Sequence, residues 1–369
     1  MSDTQVLFRP ITIRNTTFKN RLAMAPMTRG FSPDGVPGDN VRDYYARRAA
    51  ADVGLIISEG TLVHREGAAD NSNYPLFWGD KPLQGWKNVI DAVHLNDGKM
   101  APQLWHLGMM RKPGTGHFPD APTDGPSGIT LKGKKIFEEP SISDVEAMAQ
   151  AYVDAAADAV RLGFDAIEFH GAHGYLIHNF FCDVTNKRTD RFGGTLVDRA
   201  RFAIDIIKET RKVVGDTPII LRWSQWHQVD YTSRLTSSLD ELAPFLEAIA
   251  ASGVDMLHAS QRRYWEPEFP EIDGKDGLNL AGWCKKITGL PSMSVGSVGL
   301  GGDFFGAFAG EGAKTRPITD LIERMERDEF DMIAVGRALL QDPNWVTKVK
   351  EGRLDELQPY DASAIKTLY

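Results

Sequence analysis

The stretch Phe164-Asp-Ala-Ile-Glu-Phe-His-Gly-Ala-His-Gly-Tyr-Leu-Ile-His-Asn-Phe-Phe181 is where the fold is read most directly. Its first half, after Gly163, carries Ala166, Ile167 and Phe169 and reads as a buried strand. Its second half turns at His170 into a glycine-containing loop that holds His173 and Tyr175. Two imidazoles and a phenol thus collect where a strand gives way to a loop, a place where a rigid scaffold usually carries its chemistry. A solitary histidine there would ordinarily be structural. Two with a tyrosine, spaced by Gly171 and Gly174, favour a functional reading, because glycine permits a sharp turn and the close approach of a ligand.

Outward from this stretch, one unit recurs: short apolar run, loop, amphipathic helix. The runs expected as strands are Leu22–Met24, Val53–Ile57, Met100–Trp105, Ala166–Phe169, Ile219–Arg222, Met256–Leu257, Met293–Val295 and Met332–Val335. Helices are expected at Val41–Ala51, Leu83–Leu95, Ser143–Leu162, Leu196–Val214, Leu239–Ser252, Leu278–Thr288 and Ile318–Arg327, with a last one at Ala338–Glu351. Ahead of them, Ile11–Ile13 and Thr16–Phe18 alternate around Arg14-Asn15 as a small hairpin. Ser143 with Glu146, and more weakly Thr195 with Asp198, have capping-box spacing. Pro244 counts mildly against the fifth helix.

Eight strands, each followed by a helix, predict an α/β fold, a (β/α)8 TIM barrel with an N-terminal hairpin, as one domain over residues 1–369. The length of 369 residues exceeds the ~250 typical of such barrels, so insertions are required. They are expected in the loops at Lys112–Glu139, Tyr264–Gly277 and Gly299–Pro317, all at the C-terminal face where these barrels build their sites. A doubly wound sheet would instead carry a glycine fingerprint after its first strand. Ala25-Pro26-Met27-Thr28-Arg29 stands in that place.

Composition narrows the functions. A net charge of −8 argues against nucleic acid as a general partner, while leaving room for a local basic pocket. No apolar run nears the length of a membrane span, and Met1–Pro10 lacks a signal-peptide core. The two cysteines, Cys182 and Cys284, cannot make a disulfide framework, a zinc knuckle or an iron–sulfur cluster, and suit a cytoplasmic setting.

The strand ends then supply a rim: Pro26-Met27-Thr28, Glu59-Gly60, Gln103 with Trp105 and His106, the His170/His173/Tyr175 set, and Arg222. Strands seven and eight end alike, in Val295-Gly296-Ser297 and Val335-Gly336-Arg337. Glycine-freed backbone N–H groups and an arginine at these positions suit a phosphate, although the glycines alone could serve tight turns. His-x-x-His spacing is possible for a metal, but no third ligand stands out, and no metal is expected. Of the carboxylates, only Glu59 and Glu168 lie near strand ends, and a serine nucleophile elbow is absent.

These residues occur in motifs by which the chain resembles the Old Yellow Enzyme family of FMN-dependent ene-reductases, from about Leu7 to the end. The motifs are Asn20-Arg21 with Ala25–Arg29, Gln103–His106, His170–Leu176, Asn186–Gly194 and Val335–Arg337. The loop departs from the family pattern at Phe192, Thr195 and Asp198. The resemblance implies that Pro26, Met27, Thr28, Gly60, Gln103 and Arg222 surround the flavin ring of FMN, and that Gly296, Ser297, Gly336 and Arg337 hold its phosphate. It implies that His170 and His173 grip a carbonyl or nitro oxygen, that Tyr175 donates a proton, and that Trp105 lines the substrate pocket. NADPH or NADH would be the electron donor and small electron-poor alkenes the substrates, in a monomer or homo-oligomer. Relatives with an added iron–sulfur domain do not fit two cysteines and this length. A flavin-binding redox or light sensor, or a phosphate-binding barrel aldolase or isomerase, are the competing readings. Gln261–Trp265 suits either nicotinamide-cofactor phosphates or a surface or subunit contact, and Tyr369 is a further candidate for the pocket.

Overall fold

A computed structural model describes residues 4–302, 306 and 310–369 of the chain. The hairpin is present, as β1 (Ile11–Ile13) paired antiparallel with β2 (Thr16–Phe18). Eight parallel strands follow: β3 (Leu22–Met24), β4 (Leu55–Leu62), β5 (Met100–Trp105), β6 (Ile167–His173), β7 (Ile219–His227), β8 (Met256–Ser260), β9 (Ser292–Val295) and β10 (Met332–Val335). Each pairs with the next, and β10 closes on β3 through Val335 opposite Met24, giving a closed (β/α)8 barrel.

Alternation along the strands separates two apolar layers. Ala23, Leu55, Ile57, Ala101, Ala166, Ile220, Met256, Met293, Met332 and Ala334 fill the barrel, and Ile13 and Phe18 of the hairpin join them. Leu22, Ile56, Leu104, Phe169, Leu221 and Ile333 face outward and pack under the helices. The hairpin is therefore a plug in the barrel's N-terminal end, and the opposite end is left for side chains of another kind.

Several boundaries differ from expectation. Strands β4, β6 and β7 run on past Ile57, Phe169 and Arg222, because polar residues continue the ladder with their backbones paired: Gly60 opposite Gln103, His170 opposite Arg222. His170 and His173 consequently lie on a strand, not on a loop after it. The helix at Ile142–Leu162 is capped by Ser141 and Asp144, not Ser143 and Glu146; Asp144 donates its N–H to Ser141 Oγ at 3.2 Å and accepts from Ser141 N–H at 3.1 Å. The Thr195–Asp198 box forms as expected. The helix expected at Leu196–Val214 is broken at Ala200, and the last one is divided into Arg337–Gln341 and Trp345–Lys350 around Pro343, which has no N–H to continue it. Pro244 is tolerated within Leu239–Ala250. The Lys112–Glu139 insertion is irregular and tied down from below, where Asp124 takes hydrogen bonds from His106 at 2.9 Å and Arg65 at 2.7 Å. Of the Gly299–Pro317 insertion, residues 303–305 and 307–309 lie outside the described residues, as do residues 1–3 of the N-terminal segment. No helix among the described residues is long and apolar enough to cross a membrane.

Candidate active site

A depression at the C-terminal end of the barrel has two lobes that share Pro26, Met27, His173, Arg222 and Arg337 in their walls. The wider lobe, about 490 Å3, is also walled by Thr28, Gln103, Trp105, His170 and Tyr175. The narrower, about 100 Å3, reaches Gly296, Ser297 and Gly336. Nearly every residue singled out from the sequence thus borders one or other of these adjoining lobes. Gly60 does not; a Cβ there would fall 2.5 Å from Trp105 Cε3, so this glycine lets the indole lie flat across the strand.

The strand end at His173 is shaped by a bulge between Gly171 and His173, a device that re-aims side chains. His173 itself has φ of +66°, a left-handed conformation uncommon for a side-chain-bearing residue. Strand β7 and the residue after it hold it there: the His173 N–H donates to Ser224 Oγ at 3.0 Å, and its carbonyl accepts from Gln228 N–H at 3.2 Å. Local strain of this kind gathers at functional sites. Gly174 follows with φ of +90°, and a Cβ there would meet Leu131 at 2.6 Å.

Both imidazoles are buried and their pKa values are pushed well below the ordinary histidine range, first by burial and then by the Arg222 cation. Each is neutral at physiological pH and has one N–H to offer. The Ala172 N–H points at His170 Nδ1 from 3.4 Å, which leaves the proton on Nε2. His173 Nε2 is 2.8 Å from Ser260 Oγ, and that hydroxyl also accepts from Arg222 at 3.3 Å. Its own proton is then available to His173 Nε2, the arrangement that puts the imidazole proton on Nδ1. Trp226 stacks on His173 with ring centroids 4.5 Å apart.

Tyr175 stands edge-on to His170 at 4.7 Å and to Trp105 at 5.0 Å. Burial raises its pKa above that of free tyrosine, while a hydrogen bond donated by Gln228 Nε2 at 2.9 Å works against the rise. The phenol oxygen accepts from Gln228 and its O–H is left to donate.

In the narrow lobe, Gly296 has φ of +142°, and a Cβ would come within 2.8 Å of the Gln261 carbonyl. Only glycine lets the 261–263 segment cross the strand end so closely. Arg337 reaches Ser297 Oγ at 3.2 Å, and Arg262 joins this wall. Beyond Arg262 the segment is held by its neighbours: Arg263 pairs with Glu266 at 3.0 Å, Tyr264 is buried against Asp320, and Trp265 lies 3.5 Å from the Arg316 guanidinium.

Other expectations are relocated. Glu59 faces the loop after β3, accepting the N–H groups of Arg29 at 2.9 Å and Gly30 at 3.0 Å, with its pKa raised by burial to about 7. Tyr369 does not reach the cavity; it is exposed, with its ring over Arg47 and its carbonyl taken by Arg48 at 2.7 Å. Ile365 and Tyr360 line the mouth in its place. Arg29 secures that terminal segment through the carbonyls of Ile365 and Thr367. Ser260, Trp226, Gln228 and Tyr74 are wall residues that the sequence reading passed over.

A long cavity, ready for a phosphate at one end and ringed by hydrogen bonders at the other, suits a flat cofactor with an anionic tail. The residues present fit FMN: Arg222 Nε is buried with no protein partner, as a group awaiting an acceptor would be, and the Gly296 cradle leaves room for backbone contact. The fold and cavity together define a flavin-dependent redox barrel. A model of the NADH:flavin oxidoreductase / NADH oxidase family matches residues 6–300. The chain is 32% identical to the flavin oxidoreductase hxnT of Emericella nidulans, covering 98% of this chain and 94% of that one. It is also 32% identical to the NADPH dehydrogenase of Bacillus subtilis, covering 91% and 92%. It spans about half, 52%, of the NADH oxidase of Thermoanaerobacter brockii, also at 32% identity, with 95% of this chain covered. Among solved structures, the Old Yellow Enzyme homologue from Zymomonas mobilis superposes with a TM-score of 0.76 at 26% identity, covering 98% and 96% of the two chains. Morphinone reductase, at 24% identity, shares the fold with a TM-score of 0.78 over 97% of this chain and 93% of that one. The chain belongs to this flavin oxidoreductase family, that of Old Yellow Enzyme, and is an NAD(P)H-dependent FMN oxidoreductase.

Proposed function

We propose that the protein is an ene-reductase that saturates electron-poor alkenes, α,β-unsaturated carbonyl or nitro compounds. The observation that carries this reading is the convergence of two neutral imidazoles and a protonated phenol on one wall of the wide lobe. Bound FMN supplies a two-electron carrier, loaded by NAD(P)H and discharged as hydride onto the substrate. In this reading Pro26, Met27, Thr28, Gln103 and Arg222 border its ring system, Gly60 supports Trp105 beside it, and Gly296, Ser297, Gly336 and Arg337 receive its phosphate.

The chain's own residues then divide the work. His170 and His173 donate N–H groups to the carbonyl or nitro oxygen of the alkene. As hydride adds to the β carbon, the C=C π pair moves toward that oxygen, and the two donors stabilise the charge that develops there. One such donor is typically worth about 10²–10³ in rate. Because the imidazoles are neutral, they polarise the oxygen without protonating it. Tyr175 passes its O–H proton to the α carbon, leaving a saturated bond and a phenolate that Gln228 stabilises until water reprotonates it. Trp105 and Tyr74 form an aromatic wall, with ring centroids 5.3 Å apart, that suits a flat substrate.

The test is an anaerobic absorbance titration of the flavin-loaded protein with NADPH and then 2-cyclohexenone. The flavin band is expected to bleach and then return. A band that bleaches but stays bleached on adding enones and nitroalkenes overturns the alkene reading.

A further inference from the structure

Gln103 of β5 and Arg222 of β7 line the cavity; behind them Glu168 of β6 and His258 of β8 have no exposure at all. Neither has a part in the reaction above. One carboxylate oxygen of Glu168 accepts from Gln103 Nε2 at 2.8 Å, and the other lies 2.6 Å from His258 Nδ1. Burial pushes the His258 pKa below the ordinary value, against the pull of Glu168. The imidazole is therefore a neutral donor through Nδ1–H. Burial also works against the Arg222 cation, and Glu168 is the foremost group supporting it. A buried carboxylate is costly unless it is hydrogen-bonded and near an opposite charge. Here two donors satisfy Glu168 and Arg222 is the cation.

Two properties of the cavity wall depend on this carboxylate. An ionised carboxylate only accepts hydrogen bonds. Gln103 must therefore turn its NH2 toward Glu168, and its carbonyl oxygen is the acceptor left for a ligand. Arg222 is a fixed positive charge that favours added electrons on a neighbouring ring, and Glu168 behind it offsets part of that field. We propose that Glu168 is a positioning residue that orients the Gln103 amide and moderates Arg222, and thereby lowers the reduction potential of the bound FMN. This inference rests on the placement of the flavin against Gln103 and Arg222.

The test is spectroelectrochemical titration of the FMN-loaded protein, with FMN dissociation constants from flavin fluorescence, for wild type, E168Q, E168D and R222A. E168Q is expected to raise the two-electron midpoint by about 30 mV or more, the shift equivalent to tenfold in the equilibrium constant. E168D keeps the charge but shortens the reach to Gln103; it is expected to hold the wild-type midpoint and bind FMN roughly tenfold more weakly. A wild-type midpoint in E168Q overturns the proposal. So does an E168D midpoint displaced as far as that of E168Q, because packing and not charge would then be at work. If E168Q does not fold, E168D decides alone, and wild-type FMN affinity there removes the positioning role. FMN bound by R222A as tightly as by wild type would overturn the cofactor placement itself, whatever Glu168 does.

Discussion

In the proposed reaction Tyr175 gives the proton, and its surroundings suit that part. Burial keeps its proton on at neutral pH, and the hydrogen bond from Gln228 stabilises the anion once the proton has gone. Removing the hydroxyl in Tyr175→Phe should slow alkene reduction by about 10²–10⁴, the range for a positioned acid. Flavin reduction by NAD(P)H should remain near normal. Stopped-flow measurement of the two half-reactions separates these, and equal losses in both would remove the role. His170 and His173 make a different demand. Neutral N–H donors should bind a phenol oxygen as an analogue of the charged substrate oxygen, and a hydrogen bond to a charged group is worth about 1.5–3 kcal/mol. Replacing both with alanine should therefore weaken p-hydroxybenzaldehyde binding at the flavin by at least tenfold, read from its long-wavelength absorbance; unchanged affinity would exclude them from the anion site. These residues were legible because they sit together in one short motif. His258 and Ser260 were not, since the run Met256–Leu257 stops short of them. The signal lay in the alternation Met256, His258, Ser260, which carries an inward face from the core to the cavity.

At the level of elements, the barrel separates stability from chemistry by end. Phe18 of the hairpin is buried among barrel-filling side chains at the end away from the cavity. Phe18→Ala should cost about 3–5 kcal/mol of stability, typical of a buried phenylalanine removed. Urea unfolding of the flavin-loaded variant should register that loss, with turnover per folded molecule retained; lost turnover at full folding would show the two ends to be coupled. Gly296→Ala works at the other end. The new Cβ would press on the Gln261 carbonyl in a conformation that side chains rarely adopt, so FMN affinity should fall at least tenfold by fluorescence titration, and urea unfolding should register about 1–3 kcal/mol of backbone strain beside it. The sequence revealed the order and number of strands because apolar runs change period cleanly into helices. It concealed where strands end. Glu59-Gly60-Thr61 and Ser224-Gln225-Trp226 look like loop but continue β4 and β7, since a parallel ladder needs only backbone groups and the barrel's upper end is lined by polar side chains. Helix starts were misjudged for a related reason: Ser141 and Ser143 are both plausible caps, and local geometry decides between them.

For the whole molecule, a polar cavity built into an apolar barrel makes stability depend on pH in a definite direction. His170, His173, His178, His227 and His258 are buried, and burial lowers the pKa of each, to about 3 for His178. Unfolding restores an ordinary value near 6.5. Below about pH 6.5 the unfolded chain therefore binds protons at these sites that the folded chain does not, and folding loses ground as pH falls. Glu59 and Glu268 act in the opposite sense: burial raises each to about 7, so the folded state holds their protons between about pH 7 and 4.5 when the unfolded state does not. Five imidazoles against two carboxyls leave the unfolded chain ahead by up to about three protons. Each is worth about 1.4 kcal/mol per pH unit at most. The melting temperature of the FMN-loaded protein should thus change little between pH 8 and 7 and fall progressively from pH 6.5 to 5. Substituting His178, which lies away from the cavity wall, by glutamine should flatten that fall by up to one proton's worth. A melting temperature that is flat or rises down to pH 5 would mean that the buried imidazoles become charged in the folded state. They would then be cationic acids and not neutral donors to a substrate oxygen, so the acid-side stability profile also tests the protonation state on which the proposed reduction depends.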